Sequence, residues 1–166
     1  IIGLRSTGGY ESQYVNVGLT HARGVEFGGE VAPSSAVRFR GGYTFLSSEI
    51  LESTSQYSPV FAVGQSAFRR PRHAGFLQAS WTQGRLTADL SGVVLGRFVD
   101  SDFSSLTPPI LENPGHSRWD ARVAYRLARH VTGLLSIDNL TGREYQEPLG
   151  YRALGTSVRA GVRVGL

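Results

Sequence analysis

The 166 residues amount to one domain's length, hold no Cys and no Met, and carry a net charge of +4 in which every basic residue is arginine. Without Cys there is no disulfide framework, zinc cluster or thiol nucleophile. The arginines are scattered along the chain, apart from Arg69, Arg70 and Arg72, which argues against nucleic acid as a partner. No stretch approaches the roughly 18 apolar residues of a membrane helix, so a helical membrane protein is excluded as well.

Ile1-Ile2-Gly3-Leu4 is too short, and lacks the basic flank, for a signal peptide. The chain is therefore expected to be cut from a longer one, with the end of a strand near Ile1–Ser6. From there the dominant pattern is alternation. Val25, Phe27, Gly29 and Val31 alternate with Glu26, Gly28 and Glu30, and Val37, Phe39, Gly41, Tyr43 and Phe45 alternate with Arg38, Arg40, Gly42 and Thr44. Leu77, Ala79 and Trp81 oppose Gln78, Ser80 and Thr82; Leu86, Ala88 and Leu90 oppose Thr87, Asp89 and Ser91. The last third continues with Trp119 to Leu127 against Asp120, Arg122 and Arg126, then Val131 to Ile137 against Thr132, Ser136 and Asp138. It closes with Leu154 to Leu166 against Ser157, Arg159 and Arg163. A period of two means strands, because successive side chains point to opposite faces of a sheet. Seven complete strands are predicted, all antiparallel.

Their length, roughly nine to thirteen residues, exceeds the five to six of soluble strands and suits a tilted bilayer crossing. Short turns at Pro33–Ala36, Gln83-Gly84 and Ala128–His130 alternate with long connections at about 49–68, 99–116 and 141–153. Outer-membrane barrels have this asymmetry, with short periplasmic turns and longer external loops.

One face of the strands is apolar. The other carries Glu26, Glu30, Arg38, Arg40, Asp89, Asp120, Arg122, Arg126, Asp138, Arg159 and Arg163. In a soluble sandwich the apolar face is the core; in a barrel it meets lipid and the charged residues line the lumen. Periodicity alone does not separate the two. Charges recurring on neighbouring strands, small residues diluting the apolar face, and aromatics near strand ends (Tyr43, Phe45, Trp81, Phe98, Trp119) favour the barrel. Glycine pairs such as Gly28-Gly29 and Gly41-Gly42 are read as places where the backbone bends or bulky neighbours pack closely. The four histidines lack metal-ligand spacing and are expected at the surface or interface, and Asp100 and Asp102 in a solvated loop. No catalytic grouping, metal site or cofactor is predicted. Tyr57, Phe61, Phe68, Phe103, Tyr145 and Tyr151 in the long loops are candidate ligand contacts.

Four stretches carry a resemblance: Arg23-Gly24-Val25-Glu26 with the hairpin ending in Gly42-Tyr43-Thr44-Phe45, Arg70-Pro71-Arg72-His73, Ile137-Asp138-Asn139-Leu140 through Tyr145, and Gly150-Tyr151 with Gly155 before the final strand. In order and spacing, they and Tyr14–Gly18 before them resemble the C-terminal end of TonB-dependent outer-membrane receptors. Thr141 and Gly142 stand where that family has Phe-Asp, and Leu166 where an aromatic is usual. The resemblance implies that residues 1–166 are seven to eight transmembrane strands of a larger, 22-stranded barrel, with the plug domain outside them. It further implies a non-enzymatic receptor of the bacterial outer membrane that takes up an iron-siderophore, cobalamin or similar scarce nutrient. Its partners would be membrane lipid, the nutrient, and the TonB complex through the N-terminal region. The alternatives are a complete eight-stranded structural or adhesin barrel and a soluble β-sandwich binding domain.

Overall fold

The computed structural model describes residues 2–8, 11–16, 18–53, 61–106 and 109–165. Its strands are β1 (Ile2–Gly8), β2 (Glu11–Asn16), β3 (Thr20–Ser34), β4 (Val37–Ile50), β5 (His73–Gln83), β6 (Leu86–Leu95), β7 (Phe98–Ser101), β8 (Ile110–Asn113), β9 (His116–Ala128), β10 (Val131–Asp138) and β11 (Ser157–Val164). Seven of them form one antiparallel sheet in the order β11-β10-β9-β6-β5-β4-β3. These are the seven strands that the alternation predicts. β3 and β4 run well past the predicted segments toward the long loops, and β11 begins three residues later than Leu154.

Two features escape a reading by period. The expected tail of a strand at the start is a hairpin, β1 with β2, that is not joined to the large sheet. The loop expected at 99–116 contains the β7–β8 hairpin, four residues a side, too short for its alternation to stand out. Phe98, expected in an interfacial belt, is instead a buried side chain of that hairpin.

The three predicted short turns join β3 to β4, β5 to β6 and β9 to β10 through Ser35-Ala36, Gly84-Arg85 and Arg129-His130, all at one edge of the sheet. Gly84, at φ 58°, supplies the left-handed conformation a tight hairpin turn needs. The long connections all emerge at the opposite edge.

Register fixes the faces. Val31, Phe39, Ala79, Leu90, Ala121, Ile137 and Val158 stand opposite one another in turn, forming an apolar row across all seven strands. One residue along each strand from β4 to β11, the row is Arg38, Ser80, Asp89, Arg122, Ser136, Arg159. Among the described residues no second sheet covers the apolar row. Among the described residues the buried hydrophobic side chains are Ile50, Ala67 and Phe98, whereas Phe27, Val158 and Val162 are 66%, 64% and 65% exposed. A soluble sandwich would bury those side chains between its sheets. β3 and β11, the two sheet edges, do not pair with each other, so the seven strands do not close into a small barrel by themselves.

Glycines accept aromatic rings from the paired strand. A Cβ on Gly42 would lie 2.5 Å from the ring of Phe76, its cross-strand partner, and one on Gly92 would lie 2.4 Å from the Trp119 ring. Gly92→Val is therefore expected to destabilise the sheet by about 1–3 kcal/mol through overpacking, measured as a lower urea midpoint in detergent. Gly29→Val, at a site with open space around it, should leave that midpoint unchanged.

Candidate functional site

Ten residues read from the sequence as lumen-lining (Glu26, Glu30, Arg38, Arg40, Asp89, Arg122, Arg126, Asp138, Arg159 and Arg163) share the polar face by register. They form cross-strand pairs: Arg38 Nη1 to Glu30 Oε1 at 3.1 Å, Ser80 Oγ donating to Asp89 Oδ1 at 2.6 Å, and Arg159 to Asp138. Asp89, Arg122, Arg159 and Arg163 line an open groove of about 460 Å³ on this face. Exposed pairs of this kind contribute little to stability, about 0–1 kcal/mol each. Their consequence is a strip of alternating, wet charge. Arg118 belongs to the same face and binds Asp120 through Nη2 at 2.7 Å; extending the β9 alternation one step back from Trp119 would have found it.

Above the sheet the long loops are tied together through Asp100, which is 1% exposed. The sequence reading placed this residue in a solvated loop, and the structure overturns that. Arg69 Nε donates to its Oδ1 at 2.6 Å, the Ser101 amide to the same oxygen at 2.8 Å, and the Leu149 amide to Oδ2 at 2.9 Å. One carboxylate thus joins the β4–β5, β6–β9 and β10–β11 connections. Burial disfavours its charge. The Leu149 amide, Arg69 and the Ser101 amide outweigh that cost and hold the carboxyl below its ordinary value. The Phe103 amide, donating to the Leu149 carbonyl at 2.9 Å, extends the joint. Gly150, at φ 90°, lets the two backbones approach; a Cβ there would lie 2.5 Å from the Ser104 nitrogen.

The candidate ligand aromatics divide around this joint. Phe68 and Phe103 lie under the Arg69 guanidinium at 4.9 and 5.3 Å, Phe61 leans on Phe68 at 6.1 Å, and Tyr151 on Phe103 at 6.0 Å. Tyr145 lies apart, stacked 4.0 Å over His116 at an interplanar angle of 9°. Tyr57 lies outside the described residues. His116 is buried, against the expectation of a surface histidine, with Nε2 3.2 Å from Glu147 Oε2. Phe61, Phe68 and Tyr145 are half-buried, while Phe103 and Tyr151 are 41% and 60% exposed.

Asn139 explains why the Asn-Leu segment has its residues. It sits at φ 51°, a left-handed conformation that Asn tolerates. Its side chain accepts from the Arg143 amide at 3.1 Å and donates to the Arg143 and Leu154 carbonyls at 3.0 and 3.2 Å. Its own amide donates to Asp120 Oδ1 at 2.9 Å. The turn is thereby pinned to β9. Beside it a cleft of about 390 Å³ is lined by Asn113, Gly115, Arg143, Tyr145 and Arg152 among others. Among the described residues no three His, Asp or Glu side chains stand together as a metal site.

With folded-state acidity increased, Asp100 contributes loop stability that is complete above its ordinary value of 3.8 and lost as pH falls through the lower folded value. Protection of the Phe103 and Leu149 amides, corrected for intrinsic exchange, should fall over that range. Asp100→Asn should lower it at neutral pH by about 1–3 kcal/mol, leaving protection within β9 and β10 unchanged.

The family model described as TonB dependent receptor-like, beta-barrel matches residues 1–140. A probable TonB-dependent receptor, BfrD of Bordetella pertussis, is 30% identical over 139 residues, which are 77% of this chain and 18% of that protein. The chain thus spans under a fifth of the length of this curated relative. Among solved structures, the ferric-catecholate import receptor Fiu of E. coli K12 in its closed form superposes with a TM-score of 0.71 at 18% identity, covering 98% of this chain and 23% of that one. The ferric yersiniabactin uptake receptor FyuA of Yersinia pestis gives a TM-score of 0.74 at 16% identity, covering 92% and 24%.

Proposed function

The chain belongs to the TonB-dependent receptor-like β-barrel family, and from that premise we propose that it is one section of the wall of a larger, 22-stranded barrel in the bacterial outer membrane. The intact receptor binds a scarce nutrient, of the iron-siderophore or cobalamin kind, and passes it inward with energy delivered through the TonB complex to a plug domain outside these residues. This section carries no chemistry of its own. It supplies lipid-facing wall, lumen-lining charge and external loops.

The observation that carries this reading is the seven-strand apolar row from Val31 to Val158, with Val31, Phe39, Leu90 and Val158 exposed on one side of the sheet and the charged row on the other. In water such a surface would drive aggregation; against hydrocarbon it is at rest. The unpaired edges of β3 and β11 support the larger barrel, since backbone groups inside a bilayer must be paired and further strands would pair them. Of the loop aromatics, Phe103 and Tyr151 have the exposed surface for nutrient contact. The other described candidates hold the loops in place around them.

Ala121, the fifth of the seven residues in the apolar row, lies near the middle of β9. In the intact receptor Ala121→Arg should cost about 2–4 kcal/mol as a cation at mid-membrane depth, seen as lost assembly or a lower denaturation midpoint. Ser91→Arg, on the polar face and one step from Leu90, should cost far less. Equal costs at the two positions would remove the membrane reading.

A further inference from the structure

Resting on the reading of the apolar face as lipid-facing, we propose that the β4–β5–β6–β9 wall holds a specific lipid with a phosphate-bearing anionic headgroup, its acyl chain in a groove below His73 and its headgroup at Arg72. The groove, about 320 Å³, is lined on the apolar face by Tyr43, Gly75, Leu77, Gly92, Val94 and Trp119. Gly75, without a side chain, leaves the depression open between Leu77, Val94 and the Trp119 ring, which itself lies over Gly92. A second apolar depression of about 380 Å³, lined by Phe39, Ala79, Trp81, Leu90 and Ala121, lies farther along the same strands toward the short turns. On β11 of the same face Val158, Val162 and Val164 are each more than half exposed.

The upper end of the groove is polar and cationic. Tyr43 Oη and His73 Nδ1 are hydrogen-bonded at 2.7 Å, which fixes the imidazole over the groove mouth and leaves Nε2 as its remaining polar group. Phe45 packs on His73 at 5.4 Å, and the Arg72 guanidinium lies 5.3 Å over Phe45. That cation–π contact holds Arg72 to the apolar side of the sheet, and among the described residues no carboxylate stands within 4.0 Å of the guanidinium. Aromatic residues of this kind mark the depth of the membrane interface. A lone guanidinium at that depth meets headgroups, and its planar fork suits phosphate oxygens. An oily slot descending from an unpartnered cation is complementary to one anionic lipid: charge above, chain below.

The test uses the intact receptor in vesicles doped with phosphatidylglycerol or phosphatidylcholine carrying the same photoreactive acyl chain, with cross-linked peptides mapped by mass spectrometry. Peptides holding Leu77, Val94 and Trp119 should be labelled about fivefold more by the phosphatidylglycerol probe, the preference one arginine near an anionic headgroup supplies. Arg72→Gln should abolish that preference and Arg72→Lys retain most of it, while Val158 and Val162 are labelled equally by both probes throughout. Equal labelling of the groove by the two headgroups in the unaltered receptor would overturn the lipid site, whatever the variants do. Labelling of neither the groove nor Val158 and Val162 would overturn the lipid-facing assignment itself.

Discussion

Continuous antiparallel pairing is the constraint on which the rest of this structure depends. From β4 through β5, β6 and β9 the ladders run without a bulge, as does the ladder joining β10 to β11. In this sheet irregularities are confined to the turn ends, at Val31/Ser34 and Val131/Thr132. Because side chains alternate and paired residues share a face, an unbroken register carries the two-residue period of each strand across the whole sheet. A one-residue slip anywhere would put Arg122 or Arg159 among valines and leucines. The separation of oil from charge is thus a collective property of six ladders.

This is why so much of the fold was legible in the sequence. Strand existence, the number of strands in the main sheet, the three tight turns and the common face of Glu26, Arg38, Asp89, Arg122 and Arg159 all follow from a local period and from turn residues such as Gly84. What was not legible depends on contacts between distant residues. Asp100 lies beside serines in a polar stretch and reads as solvated; its burial comes from Arg69 and Leu149, which are 31 and 49 positions away. His116 reads as an isolated histidine until Tyr145 closes over it. β7 and β8 are too short for alternation to distinguish them from loop. The Asn139 segment was recognised by resemblance, and the structure supplies its reason: a left-handed Asn whose amide and carbonyl pin a turn to β9.

The loops and the sheet are built on different principles. In the sheet, stability comes from backbone pairing and from the match between an apolar face and its surroundings, with side-chain ion pairs contributing little. In the loops, buried polar hubs at Asp100 and Asn139 take the place of a hydrophobic core, each satisfying several backbone amides or carbonyls at once. Aromatics gathered around Arg69 then shield the Asp100 hub. Such a joint fixes the relative positions of three connections while leaving Phe103 and Tyr151 facing outward.

The assignment of the two faces is tested most directly by single cysteines placed one at a time from Ser157 to Val164 in the receptor assembled in its native membrane, each probed with a water-soluble maleimide. Labelling should alternate, with cysteines at 157, 159, 161 and 163 reacting and those at 158, 160, 162 and 164 protected until the membrane is dissolved. Uniform reactivity along the strand, or protection of the arginine-bearing positions instead, would contradict that assignment.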